Sequence, residues 1–381
     1  MLTKNKVLIK KCRPILANLF KKNINAYIDL FFHEKEIKLE LEKVKILQKT
    51  GILERNKNKW YANIMIFPFR GKFIATDFLF SILKKRKNIF VRQADDVWPM
   101  YPFETLAFID SLKSDASNRL ARKQTALDLA SGSGAISLFL SEKFKKVISA
   151  DINPKAVHYA RFNTILNNLE NRITNIQSDI FKSLGKHKFD YIVWNGPTGA
   201  FPDVKNPNKY YPKYIYGGAD GTKFTRKFLD NVFNYVSKDF KIKFLDCSLG
   251  DNNFSLTERY IINKFPNLPI KVKIEFLNQD GKKLLTSYEK LYDKYCANKL
   301  PMNLKSDMTY KKAIYKWKKY LKTEKLNYVY FSYISITPSD KFRIEHIYPK
   351  QSSFLPRHNF GFEWHYTSKK YIKNFLLENN K

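Results

Sequence analysis

Cysteine is scarce in this chain: three residues, Cys12, Cys247 and Cys296, among 381. They are odd in number and far apart, so neither a disulfide framework nor a zinc ribbon is indicated. The six histidines fall at no metal-ligand spacing, and no metal site is expected. No apolar run approaches the roughly 20 residues of a membrane span. The first residues interleave Lys4, Lys6, Lys10, Lys11 and Arg13 with apolar ones, leaving no clean signal-peptide core. The expectation is a cytoplasmic protein with no membrane partner. Internal repeats and low-complexity tracts are absent. Acidic residues are the last shortage, 35 against 69 Lys and Arg, for a net charge of +34. That excess invites nucleic acid as a partner. It is also spread along the whole length, is mostly Lys, and accompanies abundant Asn, Ile, Phe and Tyr, as drift toward A/T-rich codons would produce.

What is present is enough to fold: 44% hydrophobic and 15% aromatic residues, in a chain long enough for two or three domains. Its most informative stretch is Leu127-Asp-Leu-Ala-Ser-Gly-Ser-Gly-Ala-Ile-Ser137. Thr125–Leu129 reads as a short buried strand, Gly132 and Gly134 as a sharp turn that lets backbone approach a ligand, and Ala135–Leu140 as the start of a helix. Strand, glycine turn and helix N-terminus make a nucleotide-sized cradle at the carboxyl edge of a parallel sheet. The next strand, Lys146–Ala150, ends in Asp151, 19 residues after Gly132, about where an acid would hold a ribose diol. A dinucleotide fingerprint would want a third glycine where Ser137 stands. A ligand without phosphates, such as S-adenosylmethionine, needs only the close glycine backbone and the acid.

Downstream, strands and helices alternate. Asn153-Pro154 opens a helix, with proline in the first turn, and Ala156, Tyr159, Ala160, Asn163, Leu166 and Asn167 recur at helical spacing. Ile173–Gln177 is the third strand and Phe189–Trp194 the fourth, nearly all apolar as a doubly covered strand should be. Asn195-Gly-Pro-Thr198 follows, then Gly217-Gly-Ala-Asp-Gly221 and a helix over Phe224–Val236. The fifth, sixth and seventh strands are expected at Ile242–Ser248, Ile270–Leu277 and Tyr328–Ile336.

The run from Ala126 to about Val236 resembles a class I S-adenosylmethionine-dependent methyltransferase, and more narrowly the small-domain group that includes the release-factor glutamine methyltransferases. The matching pieces stand in the family's order: Leu127–Gly134, Ala150-Asp-Ile-Asn-Pro154, Ala160-Arg-Phe-Asn163 with Leu166-Asn167, Ser178-Asp-Ile-Phe181, Asn195-x-Pro197 and Gly217–Gly221. The resemblance implies an α/β fold with a Rossmann-like seven-stranded sheet and S-adenosyl-L-methionine as cofactor. Gly132 and Gly134 would hold its methionine part, Asp151 the ribose hydroxyls and Asp179 the adenine amine. Asp128, Ala130, Ile152, Ile180 and Asn195 would complete the lining. An aromatic-Pro-x-Glu-Thr stretch before the first strand lines the pocket in that family, which adds Tyr101, Glu104 and Thr105. An acidic first turn capping a helix explains Glu104 nearly as well.

The tetrapeptide after the fourth strand selects the acceptor. The family usually reads Asn-Pro-Pro-aromatic: the Asn side chain and the next carbonyl accept both hydrogens of a planar NH₂, and the aromatic stacks on its plane. Here Asn195 and Pro197 are kept, but Gly196 replaces the first proline and Thr198 the aromatic. Gly196 still supplies a carbonyl, whereas Thr198 cannot stack; Tyr210, Tyr211, Tyr214 and Tyr216 are candidate substitutes for that wall. The expected function is methyl transfer to a nitrogen of a protein or peptide amide, or of a small-molecule amine, held by Asn195 and the Gly196 carbonyl. The alternatives are methylation of a flipped nucleic-acid base, use of another part of the cofactor, and a non-catalytic nucleic-acid-binding protein.

Four segments are expected. Residues 1–80 form a winged-helix-like α+β unit, with helices over Ile15–Phe32 and Ile37–Gln48 and a hairpin from Gly51–Leu53 to Trp60–Ile66 around a basic turn. Residues 81–120, with the basic Leu83–Lys87 cluster, link it to a helix over Glu104–Leu112. Residues 121–338 form the methyltransferase domain, with a helical insertion at 282–326 containing helices near Leu284–Tyr295 and over Tyr310–Lys322; the second is Lys-rich outside one apolar face. Residues 339–381 are an extension expected to pack on the catalytic domain.

Overall fold

The computed structural model describes residues 2–56, 59–78, 95–97, 102–114, 125–202, 213–277, 279–284, 310–350 and 368–380. Three helices open the chain: α1 (Lys6–Lys22), α2 (Ile24–Phe31) and α3 (Leu41–Lys49). The single helix expected over Ile15–Phe32 is two, because the Asn23 backbone leaves helical geometry while its side chain caps Ala26 N–H of α2 at 3.0 Å. The hairpin expected around the basic turn is β1 (Leu53–Asn56) with β2 (Lys59–Ala62). The strand expected over Trp60–Ile66 breaks after Ala62, and its second half becomes β3 (Met65–Phe69), paired with β4 (Lys72–Thr76).

The main sheet carries the fold. Its strands are β5 (Thr125–Leu129), β6 (Lys146–Asp151), β7 (Ile173–Gln177), β8 (Phe189–Trp194), β9 (Val236–Gly250), β10 (Ile270–Phe276), β11 (Lys282–Leu284), β12 (Tyr328–Pro338) and β13 (Arg343–Ile347). They lie in the order β13-β10-β12-β9-β8-β5-β6-β7, with β11 paired to β12. Neighbours from β9 to β7 are parallel, while β12 runs antiparallel to both β9 and β10. This is the Rossmann-like α/β sheet expected, enlarged from seven strands to nine. The additions are β11, in place of the start of an expected helix, and β13, which binds the free edge of β10 in parallel.

Side-chain alternation explains why both faces are covered. On β8, Tyr191 and Val193 join one apolar core and Ile192 and Trp194 the other. The helices of the sheet are α4 (Ala107–Ser114), α5 (Ala135–Leu140), α6 (Pro154–Leu166), α7 (Lys223–Val232) and α8 (Leu256–Lys264). Two more follow, α9 (Tyr310–Thr323) in the insertion and α10 (Lys369–Glu378) near the end; the helix expected near Leu284–Tyr295 lies outside the described residues. The extension divides: β13 joins the catalytic sheet, whereas α10 lies against α2 at the other end of the chain. Its Ile372 and Leu376 are fully buried there, and Asn380 donates to Pro68 C=O at 2.9 Å. Among the described residues, no helix is long and apolar enough to cross a membrane and no cluster of potential metal ligands occurs.

Candidate functional site

The glycine turn after β5 has the geometry its sequence demands. Gly132 and Gly134 take φ of +55° and +76°, and Ala130 joins them at +54° despite its side chain. A Cβ on Gly132 would meet nothing within 4 Å, so that face of the turn is open, as a cradle for a ligand requires. A Cβ on Gly134 would stand 3.0 Å from Ala160 Cβ on α6. Gly134 therefore lets two helices and a strand close up; it does not present an open backbone face as Gly132 does.

Asp151, at the end of β6, is held by the turn it faces. Gly132 N–H donates to its Oδ2 and Asn153 N–H to its Oδ1, both at 2.8 Å. Burial raises its pKa, against these two bonds and the charge of Lys213. Beside it Ile152 is 49% exposed, an unusual position for a large apolar side chain and a surface on which a flat ring can lie. Asp128 lies beneath the turn, fully buried. Ser137 Oγ donates to its Oδ2 at 2.6 Å, while Oδ1 and the neighbouring Ser131 Oγ have no partner. Burial lifts the Asp128 carboxyl to about 7. After β7, Asp179 forms ion pairs with Lys182 at 2.8 Å and Lys227 at 3.0 Å, which hold its pKa down. Ile180 adopts φ +54° and is nearly buried. The three acids stand at the carboxyl ends of adjacent strands β5, β6 and β7, where an open α/β sheet binds its ligands.

The tetrapeptide follows β8. A Cβ on Gly196 would stand 2.1 Å from Cζ2 of Trp194, whose indole is folded back against the backbone and stacked on Phe228 at 5.1 Å. The departure from the family's first proline thus has a local cause: the tryptophan fills the space a proline ring would need. Gly217 and Gly221 press on the same segment from behind. Side chains there would run into the Pro197 and Thr198 backbone at 2.9 Å or less. Thr198 bonds to Cys247 on β9, and burial raises that thiol's pKa. Of the four tyrosines, Tyr210 and Tyr211 lie outside the described residues, while Tyr216 pairs through its backbone with Gly199 and stacks on Phe201 at 6.2 Å.

Glu104 is brought to the tetrapeptide by a widened, π-helical turn over Pro102–Leu106 that leads into α4. Its carboxylate faces the Asn195 side chain, and burial raises its pKa to about 7 against that contact. It also lies within electrostatic reach of Cys247 and of Tyr333 on β12. Thr105 is buried next to it, with its hydroxyl unpartnered; Tyr101 lies outside the described residues. Three participants were not read from sequence. Trp194 is masked by its place in an apolar strand, and Cys247 and Tyr333 by their distance along the chain. Asn163 was legible as a motif residue without a role: its carboxamide bonds to Ser133 C=O in the glycine turn and to both backbone groups of Ala75 in β4.

Comparison with known proteins agrees with this geometry. Residues 104–205 match the profile of the methyltransferase small domain. A protein of Methanocaldococcus jannaschii named as a protein N5-glutamine methyltransferase is 32% identical over 154 residues, 40% of this chain and 74% of that protein. A ribosomal protein uL3 glutamine methyltransferase of Francisella tularensis is 28% identical over 44% of this chain, which spans about half (52%) of that protein. Among solved structures, the M. jannaschii tRNA m1G37 methyltransferase overlaps 81% of this chain and 71% of its own at 16% identity, with a TM-score of 0.39, too slight a likeness to bear on function.

Proposed function

The chain belongs to the small-domain group of class I S-adenosylmethionine-dependent methyltransferases, and from that premise we propose that it methylates the side-chain amide nitrogen of a protein or peptide. The observation that carries the reading is the placement of Asn195: it follows β8, the neighbour of β5 and its glycine turn, in a tetrapeptide braced by Gly217 and Gly221. The relatives named as glutamine methyltransferases favour an amide over the other nitrogen acceptors.

The cradle fits the cofactor. Gly132 leaves room for its methionine part, Asp151 keeps lone pairs for the ribose hydroxyls, and Ile152 offers an apolar face for the adenine. Asp179 would take the adenine amine after exchanging Lys227 or Lys182 for it. S-adenosylmethionine, when bound, supplies an electrophilic methyl group on its sulfonium. The protein's part is to present a nitrogen to it. Asn195 Oδ1 and the Gly196 carbonyl accept the two amide hydrogens, which turns the nitrogen lone pair toward the methyl and draws N–H electron density onto nitrogen. Thr198, bonded to Cys247, leaves a polar wall where the family has an aromatic stack.

Asn195→Ala tests the assignment. Cofactor affinity measured by calorimetry should stay near wild type. Transfer of labelled methyl to a glutamine-containing peptide should slow by about 10²–10³, the loss typical of one preorganised polar group. Full activity in the variant would remove Asn195 from the mechanism.

A further inference from the structure

The loop after β6, which carries Asp151, is fastened from a direction that the cradle motifs do not encode. Asp77 directly follows β4 of the N-terminal unit. Its carboxylate collects three donors: Tyr159 O–H reaches Oδ1 at 2.7 Å, Val97 N–H reaches Oδ2 at 2.8 Å, and the Lys155 ammonium pairs with Oδ2 at 2.7 Å. Lys155 and Tyr159 are four residues apart on α6, so they share one face of that helix. Val97 comes from residues 95–97, which stand in sequence between the N-terminal and catalytic units. We infer that Asp77 is a positioning residue for the cofactor: it fastens residues 95–97 beside Asp151, where they form one side of the ribose end of the site. The inference rests on the reading of Asp151 as the acid that takes the ribose hydroxyls.

Asn153 supplies the second fastening. Its Nδ2 donates to Asp95 C=O at 2.8 Å, its Oδ1 accepts Lys155 N–H at 3.0 Å, and its own N–H donates to Asp151 Oδ1 at 2.8 Å. Contacts thus run without a gap from Asp77 through Lys155 and Asn153 to Asp151, and from there to Gly132 N–H. Packing seats the same segment. Val97 is 2% exposed and lies in one apolar core with Tyr159 and Phe162 of α6. Asp96 adds a longer attraction, with its Oδ1 3.6 Å from the Lys155 ammonium. Both oxygens of Asp77 are taken up by protein donors, so its part is placement. Without it, Val97 N–H loses this acceptor and Lys155 keeps only the more distant Asp96. The Asp95 bond to Asn153 then has to hold the segment's polar side by itself. Asn153 is 5% exposed, so its NH₂ pays a desolvation cost whenever that bond opens. Ile152, the exposed apolar face beside Asp151, lies in the same loop, so the effect falls on the ribose and adenine end of the cofactor.

The full chain and S-adenosylmethionine alone suffice for a test. In Asp77→Ala, calorimetry should find affinity lower by roughly 5- to 50-fold, within the range of coupling between linked sites. Asp77→Asn keeps the shape and one accepting oxygen, and should lose about 3- to 10-fold, the size of one hydrogen bond. Arg13→Ala controls for a general loosening of the two units. It removes the bonds to Asn167 Oδ1 and Gly71 C=O that tie the β3–β4 hairpin to α6 farther from the site. Its affinity should stay within about twofold of wild type, as for an independent position. Hydrogen exchange of the Val97 amide, read by NMR in valine-labelled protein, should be faster in both Asp77 variants and unchanged in Arg13→Ala. Wild-type affinity in both Asp77 variants overturns the inference. So does an equal loss in Arg13→Ala, which would make docking of the hairpin the cause. Val97 exchange indifferent to Asp77 overturns it as well. If Asp77→Ala fails to fold, the near-isosteric Asp77→Asn decides by the same readings. A wild type that binds no S-adenosylmethionine defeats the cofactor reading of the cradle and the inference with it, whereas the other adverse outcomes leave that reading standing.

Discussion

Gly132 and Gly134 are separated by one residue and carry different loads. Both hold positive φ, so a side chain at either costs about 1–2 kcal/mol of backbone strain. Beyond that cost they diverge. At Gly132 the new atoms enter open space that the cofactor would use; at Gly134 they strike Ala160 of α6. Gly132→Val should therefore abolish S-adenosylmethionine binding with a modest fall in melting temperature. Gly134→Val should lower stability by about 1–3 kcal/mol more, the range for overpacking. Calorimetry and urea unfolding on the two variants separate these outcomes, and equal stability losses would refute the distinction. Trp194 and Gly196 form a similar pair. Gly196→Pro alone should destabilise the end of β8, because its ring has no room beside the indole. Trp194→Leu with Gly196→Pro should recover much of the loss, read as a coupling between the two changes in urea midpoint.

Among the elements, the contact between the β3–β4 hairpin and α6 ties the N-terminal unit to the catalytic one. Asn163 and Asn167 lie one helical turn apart on α6 and hydrogen-bond to the Ala75 and Phe73 backbone of β4 at 2.7–3.0 Å, as a neighbouring strand would. Arg13 of α1 joins by donating to Asn167 Oδ1 at 2.6 Å. Asn163 also bonds to Ser133 C=O, so the clamp on the hairpin is a brace on the glycine turn. Asn163→Ala leaves those buried backbone groups unpaired. It should cost about 3 kcal/mol or more in urea unfolding, at about 1–3 kcal/mol for each of the three orphaned groups, and should weaken cofactor binding although no cofactor contact is removed. An unchanged cofactor affinity would confine Asn163 to the hairpin.

For the molecule as a whole, buried acids set an unusual pH response. Burial raises Asp128 and Glu104 to about 7 and Asp246 to about 6. The folded protein binds these protons more tightly than the unfolded chain does, so ionising them costs stability as pH rises. For Asp128 the window runs from its ordinary 3.8 to about 7. Paired surface acids such as Asp179 and Asp251 act in the opposite direction, so the comparison must be between proteins. Asp128→Asn should show a smaller fall in urea midpoint between about pH 5 and about pH 7.5 than wild type does. Identical falls would mean that Asp128 does not titrate in this range.

Local pattern alone determined the parallel strands and the cofactor cradle. Thr125–Leu129 and Phe189–Trp194 are short apolar runs and Ile173–Gln177 a more polar one, all bounded by turns, and their ends coincide with β5, β8 and β7. Their period and their punctuation by Gly, Asn and Asp are properties of adjacent residues. The antiparallel Tyr328–Ile336 was legible for the same reason. What depends on distant residues was not legible. The break at Asn23 follows from a cap, and the strand β13 from the free edge of β10, neither of which hydrophobic spacing encodes. Only tertiary packing sets α10 on α2, where the two ends of the chain meet. The same holds at the proposed site. Asn195, Asp151 and the glycine turn announce themselves by motif, because backbone geometry at a strand end requires particular residues there. The indole that makes Gly196 necessary, and the glycines that press on Pro197 and Thr198, act through space, and the fold alone decides which atoms it brings together.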